Sequence, residues 1–235
     1  MKYIEFEPFK KFGYIALQTT KDAKNMKEKE NLLSILKTCE LNDKYVCGKQ
    51  THSTNIACIY KNKKYTENLS EIDGYISNDT SYTLVTYYAD CLPIFLLDPI
   101  KNVFGVLHGG WRGSANKILE KAIKLMVENY SCNISNILVC FGIGISCKNY
   151  EIKEDTVQKL KTLLDFNNMV VYRDGKIYLD NMLMNKQIAL NSGILEENIF
   201  ENNYCTFEGN FYSYRKNKTE NRMAAIISKK KGDKC

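Results

Sequence analysis

Histidine is nearly absent from this 235-residue chain: His52 and His108 are the whole supply, beside three prolines and one tryptophan. Two imidazoles exclude any mechanism that needs a histidine-rich cluster in addition to a first metal or acid–base centre. Long hydrophobic runs are missing as well. The longest lies around Cys91 to Leu97, far short of the roughly 20 residues of a membrane helix. Met1 to Phe12 carries acids and lysines where a signal peptide has its apolar core. These absences lead us to expect a soluble, cytoplasmic protein. No Pro/Gly/Ser linker or internal repeat interrupts the sequence, the prolines standing at Pro8, Pro93 and Pro99, so residues 1–235 read as a single domain. A hydrophobic content of 44% supplies a sizeable core and excludes disorder, collagen and coiled coil.

The net charge of +6 suggests a nucleic-acid partner until it is located. Residues 211–235 hold eight basic and two acidic side chains, and the first 210 residues balance at 25 of each. The excess is a local tail, Lys229-Lys230-Lys231 with Lys234, which reads as a solvated terminus. No nucleic acid and no membrane is expected as a partner. The nine cysteines are odd in number and contain no CxxC pair, which favours reduced thiols over a disulfide framework.

Short runs rich in β-branched and aromatic residues predict strands over 12–17, 54–60, 82–88, 91–97, 103–107, 137–141, 211–214 and 223–227. A helix is expected after Ser114, its candidate N-cap, with Ala115, Ile118, Leu119, Ala122 and Met126 on one face. Weaker helical patterns cover 24–39, 154–164 and 180–191. Clustered strands with helices at intervals predict an α+β fold with mixed sheets covered by helices.

Three segments carry chemistry. Each places a metal-ligating side chain at the edge of a predicted strand: Gln50-Thr51-His52-Ser53, Ala89-Asp90-Cys91-Leu92-Pro93, and His108-Gly109-Gly110-Trp111-Arg112-Gly113. Two imidazoles and one thiolate form the donor set of a catalytic zinc site, which keeps a position open for water or substrate. Taken singly, each residue has a plainer reading, since histidines are often hydrogen-bonded core or surface groups and cysteines small buried hydrophobes. The glycines around His108 permit close backbone approach to a ligand, and Arg112 beside them is not explained by a structural turn.

Gln50-x-His52, Asp73-Gly74, Ala89-Asp90-Cys91-x-Pro93-Ile94, His108-Gly109-Gly110-Trp111-Arg112-Gly113, Gly142-Ile143-Gly144-Ile145 with Tyr150-Glu151, and Phe211-Tyr212-Ser213-Tyr214-Arg215 with Arg222-Met223 together resemble the laccase-domain family. That family was formerly described as multicopper polyphenol oxidase and is now usually described as zinc-dependent purine nucleoside phosphorylase with adenosine deaminase activity. The resemblance covers nearly the whole chain. It implies metal ligands at His52, Cys91 and His108, and a sandwich of mixed β-sheets flanked by helices, like toxin-type cysteine hydrolases. It also implies phosphorolysis of adenosine, inosine, guanosine and methylthioadenosine, with purine nucleosides and phosphate as partners. Ile143 stands where the family usually has proline, and Asn221 where glycine usually precedes Arg222.

With both histidines assigned to the metal, acid–base work falls to other groups. Asp90 is the first candidate and Asp73 the second; adjacent strand residues face opposite ways, so Asp90 and Cys91 share a site only if Cys91 sits at a strand end or bulge. Arg112 and Arg215 are candidate phosphate or substrate clamps, with Gln50 and Ser213 as further substrate contacts. Zinc is the expected metal, copper a chemically possible occupant of the same donors. The rival functions are a laccase-like copper oxidase, a cysteine hydrolase or peptidoglycan-editing factor using Cys91 and His108, and a non-catalytic nucleoside-binding protein. As for assembly, a monomer or weak homodimer is expected.

Overall fold

The computed structural model describes residues 1–66, 68–164 and 168–231. Its centre is a pair of facing mixed sheets. The first has the order β1 (Tyr3–Phe6), β2 (Tyr14–Thr19), β15 (Met223–Lys229), β7 (Thr83–Tyr88), β3 (Tyr45–Lys49), β5 (Asn68–Ser70). The second has the order β14 (Ile199–Phe200), β10 (Leu138–Phe141), β8 (Leu92–Asp98), β9 (Val103–Gly109), β6 (Gly74–Ser77), β4 (Ile56–Ile59). A third, small sheet pairs β11 (Glu151–Ile152), β13 (Lys176–Leu179) and β12 (Val170–Arg173).

Side-chain alternation assigns each face. In β8, Phe95 and Leu97 enter the core between the sheets, where they meet Tyr14, Leu84, Tyr88 and Ala225 from the first sheet. Ile94 and Leu96 point the other way, onto α3 (Ile118–Tyr130), α4 (Glu154–Leu163) and α5 (Asn181–Asn191). The outer face of the first sheet carries Leu17, Val85, Ala224 and Ile226 against Leu32, Ile35 and Leu36 of α1 (Lys29–Thr38). The result is helix, sheet, sheet, helix. A strand buried on both faces reads as a continuous apolar run, which is why 91–97 stood out in the sequence.

The α+β expectation holds, with local differences. Ser114 is not an N-cap: it lies inside a separate short helix, α2 (Trp111–Ala115), fully buried, with its Oγ accepting from Asn185 Nδ2 at 2.9 Å. Lys117 then turns through a left-handed conformation (φ 62°) before α3 begins. Residues 211–214 form no strand, because Ser213 Oγ accepts from the Lys216 N–H at 3.1 Å and starts α6 (Tyr214–Asn217). The first predicted helix begins only at Lys29, since the Met26 N–H is used on the Arg222 carbonyl at 2.9 Å. The basic tail is partly built in: Lys229 ends β15, and its Nζ donates to Asn102 Oδ1 at 3.2 Å. Lys234 lies outside the described residues. No helix among the described residues is long and apolar enough to cross a membrane.

One clasp ties the two sheets beside the site. Buried Gln18 of β2 donates through Nε2 to the Ile143 carbonyl at 2.8 Å and accepts the Ile143 N–H at 2.6 Å. Proline at position 143 would lack the N–H that Gln18 accepts. Gln18→Leu strands both backbone groups away from water, at about 1–3 kcal/mol each. Urea unfolding of this variant is expected to show a loss of about 2–5 kcal/mol; a loss within experimental error would show that water replaces the clasp.

Candidate metal centre

The chain leaves the first sheet at Tyr88 and enters the second at Leu92. Asp90, between them, takes a left-handed backbone (φ 91°), which a residue other than glycine adopts only when its surroundings hold it. Its carboxylate is held on both oxygens, by Thr206 Oγ1 and by the Arg215 backbone N–H, each at 2.7 Å. The turn leaves Cys91 just before β8, so Asp90 and Cys91 line one cavity. His108 stands near the end of β9, opposite Pro93. His52 approaches from the loop after β3, itself left-handed at φ 60°.

Asp73 joins these loops from below. Its fully buried carboxylate accepts the backbone N–H groups of Thr51, His52 and Ser53 at 3.1, 3.0 and 2.9 Å, and Ser53 Oγ at 2.7 Å. It also accepts His108 Nδ1 at 2.8 Å. Burial alone would raise this carboxyl, but the hydrogen bonds from His108 and Ser53 outweigh it and hold the group well below the usual carboxylate range. Asp73 keeps one ring proton on Nδ1, so Nε2 is the His108 atom open to a metal, which would displace the second proton that the ring carries in the metal-free cluster.

The donor atoms of His52, Cys91 and His108 all lie within 4.8 Å of one another. His52 Nε2 is 3.6 Å from Cys91 Sγ. A Cβ at Gly110 would come within 2.6 Å of His52 Cδ2 and 3.3 Å of Cys91 Sγ, so only glycine leaves the cluster room. Burial pushes the Cys91 thiol up, yet His108 and His52 bring it down to about 6. Burial lowers His108, while Cys91 and Asp73 lift it to about 9. Cys91 is thereby held as thiolate, the form that binds metal. A cluster of this composition could hold a metal ion.

Above it opens a cavity of about 470 Å³. Asp90, Arg112, Arg215 and Gln50 line it with the three donors; Asp73 and Ser213 do not. Arg112 lies over the Trp111 ring at 4.5 Å, and Arg215 over the Tyr150 ring at 5.0 Å while donating through Nη1 to the Glu151 carbonyl. The Gln50 amide is occupied on both ends by the Tyr87 main chain, at 2.9 and 2.7 Å. Ser213 is buried and caps α6. Lys27, Lys49 and Tyr87 also line the cavity and went unnominated, since single lysines among 33 basic residues carry no positional signal. Thr206 went unnoticed because its value lies wholly in reaching Asp90, 116 positions away in sequence.

Asp73→Asn keeps the shape but removes the charge that collects six donors, the Thr51 hydroxyl at 3.4 Å included. Metal affinity, measured by competition with a chromophoric chelator, is expected to fall roughly 10–100-fold. Because the Asp73 pKa is depressed on folding, its contribution to stability is present above the unfolded value of about 4 and lost as pH falls below it. The stability gap between wild type and variant should therefore narrow in acid; a gap that widens below pH ~4 would contradict this assignment.

Known proteins resemble this chain in sequence, and solved structures resemble it in fold. A purine nucleoside phosphorylase of Borreliella burgdorferi is 32% identical over 233 residues, covering 96% of this chain and 99% of that protein. The Bacillus subtilis protein named purine nucleoside phosphorylase YlmD is 28% identical over 221 residues, 89% of this chain and 79% of the relative. Among solved structures, the Bacillus licheniformis hypothetical protein YfiH superposes with a TM-score of 0.87 at 20% identity, covering 97% and 96% of the two chains. YlmD from Geobacillus stearothermophilus gives 0.85 at 24% identity, with 96% and 94% covered. Residues 8–230 match the family described as multi-copper polyphenol oxidoreductase laccase, and the chain belongs to that family.

Proposed function

We propose that this chain is a zinc-dependent purine nucleoside phosphorylase that also deaminates adenosine. The observation that carries the reading is the His52–Cys91–His108 donor cluster on the floor of a cavity whose wall holds Arg112 and Arg215. The relatives named purine nucleoside phosphorylase support it. Bound by three protein donors, zinc would supply a Lewis acid with an open position, able to acidify water for deamination.

This chain's own groups perform the remaining work. Arg112 and Arg215 match phosphate oxygens with planar donor forks, and the stacking of each on an aromatic ring sets its orientation. Asp90 is the carboxylate on the cavity wall, suited to carrying the proton that the departing purine nitrogen requires. Tyr150 lines the same cavity, and its phenol stays protonated because burial, with Cys91 nearby, raises its pKa. Asp73, beneath the floor, positions the ligands rather than touching substrate.

The multi-copper description of the family meets a chemical obstacle here. A laccase needs one thiolate-containing copper site and a separate imidazole-rich cluster to reduce oxygen. This chain has two histidines, and both stand in one cluster. A second reading is favoured by a specific geometry: Cys91, His108 and Asp73 form a thiol–imidazole–carboxylate chain, the layout of a cysteine hydrolase. His52, 3.6 Å from the same sulfur, has no task in that mechanism.

The test combines metal analysis of protein purified without added metal with product detection from adenosine. Stoichiometric zinc, adenine and ribose 1-phosphate only when phosphate is present, and inosine from the same preparation are expected. Cys91→Ala should lose the metal and about 10²-fold or more in kcat/KM, or about 2.7 kcal/mol. Activity that survives complete metal removal but is lost in Cys91→Ala would select the cysteine hydrolase instead.

A further inference from the structure

The cavity carries more positive charge than a neutral nucleoside and one phosphate require. Lys27, Lys49, Arg112, Arg215 and Arg222 line it, and Asp90 is the only carboxylate among its described lining residues. Elsewhere cations and acids neutralise each other, as in Lys44–Asp79, Lys124–Glu120, Lys176–Glu151 and Lys186–Glu201. None of the five cavity cations takes part in an ion pair among the described residues. Unpaired charge of one sign in a concave site focuses the field and draws in anions.

The five cations fall into two groups by where the fold places them. Arg112 and Arg215 belong to α2 and α6. The other three are gathered by the first sheet, in which β7 runs between β3 and β15. Lys49 ends β3 and Arg222 immediately precedes β15, whose Met223 and Ala224 pair with Tyr88 and Tyr87 at the end of β7. Gln50 fixes the Lys49 end of β3 through its two bonds to Tyr87. Lys27 is brought in by its neighbours, Met26 donating its N–H to the Arg222 carbonyl at 2.9 Å and Asn25 Oδ1 accepting the Arg222 N–H at 3.0 Å. The Arg222 guanidinium is steadied through Nη1 by the carbonyls of Thr219 and Asn221, at 2.9 and 3.0 Å.

Resting on the nucleoside reading above, we propose that Lys27, Lys49 and Arg222 form a second anion subsite that binds the 5′-phosphate of purine nucleoside 5′-monophosphates. Phosphate on the 5′ oxygen lies several bonds from the glycosidic carbon, so it calls for cations other than those that bring phosphate to that carbon. A cavity of about 470 Å³ is within the range that encloses ligands of this size. Nucleotides therefore compete with nucleosides for this site.

Isothermal titration of wild type and of a Lys27→Ala/Lys49→Ala double variant, each without phosphate in the buffer, with inosine, inosine 5′-monophosphate, ribose 5-phosphate and inorganic phosphate tests the proposal. Both lysines are exposed, so folding is not at stake. At low salt, wild type is expected to bind the monophosphate about tenfold or more tightly than inosine, or about 1.4 kcal/mol. That ratio should shrink at high salt and fall to near unity in the double variant. A wild-type ratio of one or less, or a ratio unchanged in the variant, overturns the proposal. So does equally tight binding of ribose 5-phosphate or inorganic phosphate, which would mark a general phosphate site. Turnover separates the two readings: adenosine cleaved without a monophosphate advantage refutes only the subsite, and the advantage without any cleavage refutes only the phosphorylase.

Discussion

The carboxylate of Asp73 is the constraint on which the site depends. It lies immediately before β6, the strand paired to both β4 and β9, and so at the junction of the segments that carry His52 and His108. Three consecutive backbone N–H groups, a serine hydroxyl and an imidazole converge on it. Without it the left-handed turn at His52 would lose the acceptor that gathers its three backbone N–H groups and the Ser53 hydroxyl. The same anion orients the His108 ring by accepting its Nδ1–H and, by favouring the charged ring, favours the Cys91 thiolate. A single buried charge therefore settles backbone shape, ring orientation and ligand protonation together.

Asp90 performs the complementary task at the cavity wall. Its strained backbone is compensated by bonds to Thr206 and Arg215, and these tie the crossing between the two sheets to the loop at Thr206 and to α6. Asp73 builds the floor from below, and Asp90 draws an arginine to the rim. Residues 90 and 91 serve one cavity because the chain changes sheets there and strand alternation is broken. The Gln18–Ile143 clasp then holds the sheets in register beside this crossing.

The two histidines of the cluster were legible in the sequence because the chain has no others, whereas Cys91, one of nine cysteines, stood out only through its place between Asp90 and Pro93 at a strand edge and through the family resemblance. The long strands β7, β8, β9 and β15 were legible from their apolar, β-branched content. Strands of two to four residues, such as β5, β6, β11 and β14, are too short to show a period, and their existence depends on partners distant in sequence. Ser114 resembled a cap because its local chemistry suits one, whereas the core claimed its hydroxyl for Asn185. Ser213 offered the reverse lesson, its capping bond winning over the strand propensity of its aromatic neighbours. The charge of the cavity could not be read at all, since Lys27, Lys49 and Arg222 meet only through sheet order. The conspicuous lysine run contributes Lys229 to a strand end instead.

The central claim is that His52, Cys91 and His108 jointly hold the metal on which the nucleoside chemistry depends. Zinc-edge X-ray absorption of the zinc-loaded protein reads that ligand set directly. The account predicts one sulfur at about 2.3 Å and two imidazole nitrogens at about 2.0–2.1 Å, with the sulfur shell lost in Cys91→Ser. A spectrum fitted by nitrogen and oxygen alone, or a sulfur shell that persists in Cys91→Ser, would contradict it.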